Sequence, residues 1–264
     1  MLRLFFIIKI ILFILINLSV IKIKYMSHLI LVRHGQSEWN LENRFTGWVD
    51  VDLTPKGKLE ACKAGELLKI QKIKINYFFT SFQKRAINTL KLILNTLRVK
   101  DSQIIRAWQI NERHYGSLTG LNKDEMKKTY GEKEIQEFRR SWDKLPEPLN
   151  KNSPYHPLNI NAYKDVPTKN IPDTESLKDT YERVFPYFEK EIISKLKQNK
   201  NILISAHGNS LRAICKYLFK LDENQINKLE IPTGNPLLIN FNNKLEIIKC
   251  FYLDKERAKN LIVF

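Results

Sequence analysis

The chain has 264 residues, with 44 lysines and arginines against 28 acidic residues, which gives a formal charge of +16. A hydrophobic content of 43% excludes a disordered chain and supports a substantial core. The basic residues are spread along the chain, which is typical of a lysine-rich surface, although nucleic acid, a membrane surface or a small polyanionic substrate would also suit them. Cys62, Cys215 and Cys250 lack ligand spacing, so we expect reduced cysteines without a disulfide framework or zinc site.

The first 26 residues, MLRLFFIIKIILFILINLSVIKIKYM, form an apolar leader. Residues 4–21 could span a bilayer with Lys9 inside the span, and a basic start before an apolar run also resembles a signal peptide. Met26 directly precedes the first predicted strand and is a third candidate for the true start. The sequence favours a removed leader or a mis-assigned start over a retained anchor. We expect a cytoplasmic protein, or a membrane-anchored, secretory or organellar one if the leader is real.

From residue 27 onward, short apolar runs alternate with longer segments of helical period. The predicted strands are HLILV, INYFFTS, SQIIRAWQINE, NILISAHG and the closing pair PLLINFN and LEIIKCFYL. The predicted helices are TPKGKLEACKAGELLKI, KRAINTLKLILNTL, NKDEMKKTYGEKEIQEFRRSWD, TESLKDTYERVFPYFEKEIISKLKQNK and NSLRAICKYLF. This alternation predicts an α/β fold, a three-layer sandwich with a mostly parallel central sheet flanked by helices on both faces, in one domain over residues 27–264.

Helix boundaries carry local signals. Thr54 is a candidate N-cap and Pro55 suits the first helical position of the first helix. Thr174 is a candidate cap of the long later helix, Pro186 a candidate kink, and Gly131 a break between two shorter helices. The apolar residues that we expect on the inner side of the first helix are Leu59, Cys62, Leu67 and Leu68.

Residues 144–172 are rich in proline and asparagine and show little periodicity. A structureless stretch of this length is either a binding loop or a linker. Motifs on both sides of it favour a binding loop, whose conformation the sequence does not disclose.

Polar residues follow four predicted strands. These groups are Arg33-His34-Gly35, Thr80-Ser81 with Arg85, Glu112-Arg113-His114-Tyr115-Gly116, and His207-Gly208-Asn209. The carboxyl ends of strands in an open α/β sheet form the ligand crevice, so we expect these groups to converge. A single histidine at a strand end is usually structural, but the coincidence at four ends predicts a site.

The residue types indicate phosphoryl transfer through a phosphohistidine. One of His34 and His207 would be the nucleophile and the other a hydrogen-bond partner, and Glu112 is the candidate proton donor and acceptor. Ser37, Asn40 and helix-start amides could complete an anion cradle. The arginines that offer donor forks to phosphate or carboxylate oxygens are Arg33, Arg85, Arg113, Arg139 and Arg140.

The chain resembles the histidine phosphatase superfamily and, more narrowly, the 2,3-bisphosphoglycerate-dependent phosphoglycerate mutases. The resemblance covers roughly residues 27–253. The motifs that carry it, in order, are LVRHGQSEWNLENRFTGWVDVDLTPKG, TSFQKRAINT, NERHYGSLTGLNKDE, FRRSWD, LISAHGNSLRAI and IPTGNPL.

The resemblance implies a metal-independent interconversion of 3-phosphoglycerate and 2-phosphoglycerate in glycolysis and gluconeogenesis, primed by 2,3-bisphosphoglycerate. It implies His34 as the phosphorylated nucleophile, Glu112 as general acid/base and His207 as the group that stabilises the transferring phosphoryl. It also implies a homo-oligomer, dimer or tetramer, that acts on small phosphorylated three-carbon acids and not on nucleic acid. The residues it assigns to the phosphoryl group are Arg33, Arg85, Asn40, Gly208 and Asn209. Those it assigns to the rest of the substrate are Ser37, Thr46, Gly47, Arg113, Tyr115, Lys123, Arg139 and Arg140.

Two alternatives stay open at this point. Many such mutases carry a longer Gly/Ala/Lys-rich tail than the ending YLDKERAKNLIVF, which leaves the balance between transfer and hydrolysis open. The same histidine could therefore serve a bisphosphoglycerate mutase or phosphatase. A basic binding protein on a degenerate enzyme fold is a rival from another class, but it predicts broken catalytic positions, and here those positions are present.

Overall fold

Six strands form one mixed sheet in the computed structural model, which describes residues 27–100 and 103–258. The strands are β1 (Ser27–Arg33), β2 (Tyr77–Thr80), β3 (Ile104–Arg106), β4 (Ile202–Ala206), β5 (Leu237–Phe241) and β6 (Ile247–Tyr252). Their order is β3-β2-β4-β1-β5-β6. The first four pair in parallel, whereas β5 is antiparallel to β1 and to β6. The predicted mostly parallel sheet is therefore confirmed.

Helices follow most strands and return the chain across the sheet. They are α1 (Glu38–Leu41), α2 (Pro55–Gln71), α3 (Lys84–Leu97), α4 (Lys123–Tyr130), α5 (Glu132–Arg140), α6 (Leu177–Tyr187), α7 (Ser194–Lys197), α8 (Gly208–Phe219) and α9 (Glu223–Lys228). A π-helical stretch, Phe188–Ile193, joins α6 to α7 just after Pro186, so the predicted irregularity in the long helix is present. Gly131, at φ +90°, separates α4 from α5 as predicted.

The apolar run of β1 is buried because helices cover both faces of the sheet. Leu29 and Leu31 belong to a core that includes Leu177 and Leu211 from α6 and α8. The alternate residues of the strand, such as Ile30, belong to a second core with α2 and α3. Successive side chains of a strand point to opposite faces, so the unbroken run reports a strand buried on both sides. The three-layer sandwich is confirmed.

The inner face of α2 differs from the prediction. Leu68 is buried, but Cys62 and Leu67 are half-buried and Leu59 is 71% exposed, so the expectation for Leu59 is wrong. The reason is close packing of α2 against α3: a Cβ added at Gly65 would lie 2.6 Å from the Cβ of Thr96. The buried residues of α2 are therefore mostly small, namely Gly57, Ala61, Ala64, Gly65 and Leu68.

Capping confirms one predicted helix start and corrects another. Thr54 caps α2, where its hydroxyl accepts from the Gly57 N–H at 3.0 Å. Thr174 does not cap α6, because Ser176 does so through a reciprocal pair of hydrogen bonds with Asp179. The Thr174 hydroxyl instead donates to a carbonyl of the preceding loop at 2.7 Å. The third strand is also shorter than predicted and is followed by a 3-10 turn at Trp108–Ile110.

The proline-rich segment 144–172 is ordered by packing. It contains three short 3-10 turns, and its Tyr163 and Val166 are buried against Trp48. The Tyr163 hydroxyl also donates to the Trp48 carbonyl. The segment thus supports the chain beside residues 46–49, which the next subsection places at a cavity.

The possible membrane association of the chain depends on the leader, residues 1–26. Within residues 27–100 and 103–258 we find no helix with the length and apolarity needed to cross a bilayer. The leader, residues 1–26, lies outside the described residues, so the alternatives for it stay predictions.

Candidate active site

The polar strand ends converge on a cavity of about 300 Å³ at the carboxyl edge of β1, β2 and β4. The predicted residues that line it are Arg33, His34, Asn40, Thr46, Gly47, Arg85, Glu112, Tyr115, Lys123, Arg139, Arg140, Gly208 and Asn209. The wall also contains four residues that were not predicted, namely Arg44, Arg212, Glu230 and Ile231. Segments from distant parts of the chain therefore form one site.

His34 carries a free nitrogen lone pair. It directly follows β1, and its Nδ1 lies 2.7 Å from the Gly35 carbonyl oxygen. A carbonyl only accepts, so Nδ1 carries the proton and Nε2 keeps its lone pair. Burial, helped by Arg85 and Arg33, holds the pKa of His34 well below its ordinary value. The imidazole is therefore neutral at neutral pH, as a nucleophile requires.

Two glycines allow the sharp turn after His34. A Cβ at Gly35 would lie 2.1 Å from the Gly57 carbonyl oxygen, and a Cβ at Gly57 would lie 2.0 Å from the Gln36 carbonyl oxygen. Real Cβ atoms do not approach backbone so closely, so larger residues would push the His34 turn away from the start of α2.

His207 lies beside His34, and its hydrogen bonds favour a proton on one ring nitrogen. Its ring centroid lies 5.0 Å from that of His34. Its Nε2 is 2.7 Å from the Ser81 hydroxyl, which also accepts from the Gln83 N–H at 3.1 Å. The hydroxyl proton is then best used on Nε2, which leaves a proton on the buried, unpartnered Nδ1. Burial, Arg85 and His34 lower the pKa of His207 well below its ordinary value, so it is a neutral donor.

Glu112 presents one carboxylate oxygen for proton transfer. Its Oε1 accepts from the backbone N–H of Arg113 at 2.8 Å and of Asn209 at 3.1 Å. Its own N–H donates to the Gln83 side chain at 2.9 Å. With Oε1 occupied and the residue on the cavity wall, Oε2 is the oxygen left to exchange a proton with a ligand.

A buried ion pair holds the backbone on both sides of Glu112. The Arg183 guanidinium pairs with Glu175 at 2.6 Å and donates to the Glu112 carbonyl at 2.9 Å. Glu175 in turn accepts from the His114 N–H at 2.8 Å. Sequence reasoning missed both residues of this pair, because neither lies at a strand end.

We expect Glu175→Gln to lower the free energy of unfolding by about 3 kcal/mol, because it leaves Arg183 as a buried charge without its partner. Turnover should also fall, since the Glu112 segment loses its support. Urea unfolding and activity assays on the same preparation measure both effects. Glu191→Gln is the matched control, because it breaks a partly exposed pair with Lys195, four residues along the chain, and should cost about 0.5 kcal/mol or less. Equal stability of the two variants would contradict the supporting role of the Glu175–Arg183 ion pair.

Neutral carbonyls hold most of the cations of the cavity. Arg33 donates to the Ile231 carbonyl at 2.9 Å, and Arg85 donates to the carbonyls of Gly47 and Val49 at 2.9 and 2.8 Å. These bonds orient the two guanidinium groups, and neither forms an ion pair with an acid of the described residues. The site is therefore prepared for an anion with several negative oxygens.

Lys123 and Arg212 extend the positive wall. The Lys123 ammonium donates to the Arg44 carbonyl at 2.5 Å, and burial lowers the pKa of Lys123 to about 8. Arg212 donates to the Asn209 side chain at 2.8 Å and to the Arg140 carbonyl at 3.1 Å. Burial, with Arg140 nearby, lowers the pKa of Arg212 to about 9. A charged residue within the apolar face of a helix was the sequence signal that could have revealed Arg212.

Three predicted residues, Ser37, Arg113 and His207, are not among the residues that line the cavity. The buried Ser37 hydroxyl accepts from the Asn40 N–H at 3.3 Å and so caps α1. Arg113 is buried, donates to the Arg139 carbonyl at 3.2 Å and covers the Tyr115 ring at 4.6 Å. Ser37 and Arg113 position neighbours that do line the cavity, and direct contact of all three residues with substrate stays a prediction.

Two further expectations concern the loop and the metal. Residues 144–172 do not contribute to the cavity wall described above, so the predicted binding loop is a support in this conformation. In the described part of the chain we find no group of three or more His, Cys, Asp or Glu residues arranged to hold a metal ion. Metal independence itself stays a prediction.

Comparison with known proteins identifies close relatives. Residues 29–156 and 151–252 match the histidine phosphatase superfamily (branch 1). The 2,3-bisphosphoglycerate-dependent phosphoglycerate mutase of Pelagibacter ubique (strain HTCC1062) is 69% identical over 90% of this chain and 100% of its own length. The protein of the same name from Hydrogenobaculum sp. (strain Y04AAS1) is 48% identical over 90% of this chain and 96% of its own.

Solved structures support the fold. A mycobacterial glucosyl-3-phosphoglycerate phosphatase superposes with a TM-score of 0.62 at 19% identity, covering 80% of this chain and 92% of that one. An α-ribazole-5′-P phosphatase from Escherichia coli superposes with a TM-score of 0.63 at 17% identity, covering 86% of this chain and 94% of that one. At such identities these structures are informative about the fold alone.

Proposed function

Because the chain belongs to the histidine phosphatase superfamily (branch 1), we propose that it is a 2,3-bisphosphoglycerate-dependent phosphoglycerate mutase, the name its close relatives carry. It would interconvert 3-phosphoglycerate and 2-phosphoglycerate in glycolysis and gluconeogenesis through a phosphohistidine primed by 2,3-bisphosphoglycerate. The observation that carries the proposal is the free Nε2 lone pair of His34 in a cavity whose guanidinium groups are held by carbonyls.

The chemistry proceeds by two phosphoryl transfers. His34 Nε2 attacks phosphorus, the bond from phosphorus to the ester oxygen breaks, and Glu112 protonates the departing oxygen. In the second transfer Glu112 takes the proton from the hydroxyl of the bound monophosphoglycerate. That oxygen then attacks the phosphohistidine and releases the His34 lone pair. One carboxyl group serves both directions, because the two half-reactions are mirror images.

The fixed donors stabilise the charge that spreads over the transferring oxygens. Arg33 and Arg85 are already oriented by backbone carbonyls, and His207 supplies a neutral N–H beside His34. Donors that need no reorganisation stabilise a transition state strongly in a site shielded from water. Asn40 completes this end, since its Oδ1 is occupied by the Ser37 N–H and its amide protons are left for the ligand.

The rest of the substrate would contact Lys123, Arg139 and Arg140, which also line the cavity. Both monophosphoglycerates carry a carboxylate and one phosphate, so a second positive region can hold either isomer while the other end reacts. This arrangement fits an intramolecular exchange between two neighbouring oxygens.

Turnover with and without added 2,3-bisphosphoglycerate, measured beside phosphate release, tests the proposed function. We expect the bisphosphate to stimulate mutase turnover and phosphate release to be the minor activity. We also expect a chelator such as EDTA to leave turnover unchanged, because the proposed chemistry uses no metal. Dominant phosphate release would favour the alternative, a bisphosphoglycerate mutase or phosphatase on the same histidine.

The homo-oligomer and the cytoplasmic compartment extend this proposal, and the family resemblance supports them. Sedimentation at several concentrations tests for a dimer or tetramer. Sequencing the N-terminus of the mature protein tests whether the leader, residues 1–26, is present.

A further inference from the structure

One acid in the cavity has no part in the proposed reaction. The two acidic residues that line it are Glu112, which exchanges protons, and Glu230. The Glu230 carboxylate forms an ion pair with the Arg140 guanidinium. A negative charge in a cavity that binds polyanions opposes binding, so its presence requires an explanation.

The backbone on both sides of this ion pair is held firmly. The Arg140 carbonyl accepts from Arg212 at 3.1 Å, and the Ile231 carbonyl, next to Glu230, accepts from Arg33 at 2.9 Å. The Glu230 side chain, by contrast, is 59% exposed. The two charged heads can therefore separate by side-chain rotation, without movement of the wall that carries them.

Glu230 acts on one arginine of a neighbouring pair. Arg139 and Arg140 both line the cavity at the end of α5, but of these two arginines only Arg140 forms an ion pair with an acid of the described residues. Arg44 also lines the cavity and pairs with Glu42, but Glu42 is not a lining residue. Within the cavity, the counter-ion thus serves Arg140 specifically.

We propose that Glu230 is an internal counter-ion of Arg140 that the non-transferring anionic end of the substrate displaces, so that Glu230 sets the affinity of the site. The inference rests on the proposed function for the identity of that substrate. An exposed ion pair contributes little net stability, so a ligand anion can exchange it. Weaker binding in turn lets the product leave, which matters for an enzyme whose substrate, product and primer all share one positive site.

Direct binding measurements separate this inference from the proposed function. Binding is measured by calorimetry on the full chain carrying His34→Ala, because this substitution prevents phosphoryl transfer. The two probes are 3-phosphoglycerate and inorganic pyrophosphate. In this background we expect Glu230→Gln to lower the dissociation constant of both anions about three- to tenfold at low ionic strength. The gain should shrink as salt screens the exposed charge.

Glu66→Gln is the matched control, because it removes the same charge from an exposed position on α2 outside the cavity. We expect less than a twofold change in affinity for this variant. A second arm repeats Glu230→Gln in an Arg140→Gln background. The gain in affinity should disappear there, because the arginine that Glu230 neutralises is absent.

Unchanged or weaker binding of both anions in Glu230→Gln would overturn the inference. A gain in affinity that persists in full without Arg140 would also overturn it, since Glu230 would then act only by repelling anions and not by pairing with Arg140. If pyrophosphate binds more tightly to Glu230→Gln while 3-phosphoglycerate binds to no variant, the counter-ion stands and the proposed function fails.

Discussion

Replacing His34 with alanine should abolish acid-labile phosphoryl labelling by 2,3-bisphosphoglycerate and lower mutase turnover by at least about 10³-fold. The physical reason is the hydrogen bond from Nδ1 to the Gly35 carbonyl, which leaves Nε2 with a free lone pair in a residue that lines the positive cavity. Labelling with radioactive phosphate, followed by acid treatment, measures the first effect. A coupled assay measures the second.

His207→Ala is the matched control for this prediction. The Ser81 hydroxyl occupies Nε2 of His207, so His207 is not placed to accept a phosphoryl group. We expect this variant to keep detectable labelling at a reduced rate, because it loses a donor and not the nucleophile. Full labelling of the His34→Ala variant would contradict the assignment and move the nucleophile to His207.

The pH dependence follows from the depressed pKa of His34. Burial, Arg85 and Arg33 favour the neutral imidazole, so protonation of His34 should not limit activity until the pH is well below the ordinary histidine range. The same depression means that the unfolded chain binds this proton more readily than the native protein does. Titration of His34 therefore does not change the free energy of unfolding at neutral pH, but it lowers that free energy as the pH falls through the pKa of the unfolded chain.

The sequence predicted the chemistry of the site better than its supports. Arg33, His34, Glu112 and His207 could be selected because each directly follows a strand, and strand ends meet at one edge of a parallel sheet. Glu175 and Arg183 could not, because their role depends on contacts with residues about 60 to 70 positions away. No local sequence pattern around Glu175 or Arg183 indicates contacts with residues so distant in the chain.

Packing explains the differences within the fold. The exposure of Leu59 could not be read from helical periodicity, because α2 meets α3 through glycine and alanine and not through its larger apolar side chains. The start of α6 was misplaced by two residues because both Thr174 and Ser176 have capping side chains. Tertiary contacts of Thr174 with the preceding loop decide between them.

Glu230 illustrates what a family resemblance leaves out. The motif FRRSWD predicted Arg139 and Arg140, but the motif IPTGNPL gave no reason to examine the acid that directly precedes it. Only the folded chain brings Glu230 against Arg140, 90 residues earlier in the sequence. Affinity can thus be adjusted by a residue outside the motifs that define the reaction.

Replacing Glu112 with glutamine should slow phosphoryl transfer by about 10²-fold or more while leaving anion binding largely intact. Glutamine keeps the shape of the side chain and an oxygen that can accept the N–H groups of Arg113 and Asn209. It cannot carry a proton between the leaving and attacking oxygens. Single-turnover labelling measures the rate of transfer, and calorimetry with 3-phosphoglycerate measures binding.

The separation of rate from binding distinguishes this role from that of a structural residue. Loss of the Glu175 carboxylate should lower stability and turnover together, whereas Glu112→Gln should lower turnover at nearly constant stability, because its hydrogen bonds are preserved. The acid/base role also predicts that the loss is smaller for substrates with better leaving groups, which need less protonation. An equal loss for all leaving groups, or undiminished turnover, would exclude Glu112 as the proton donor.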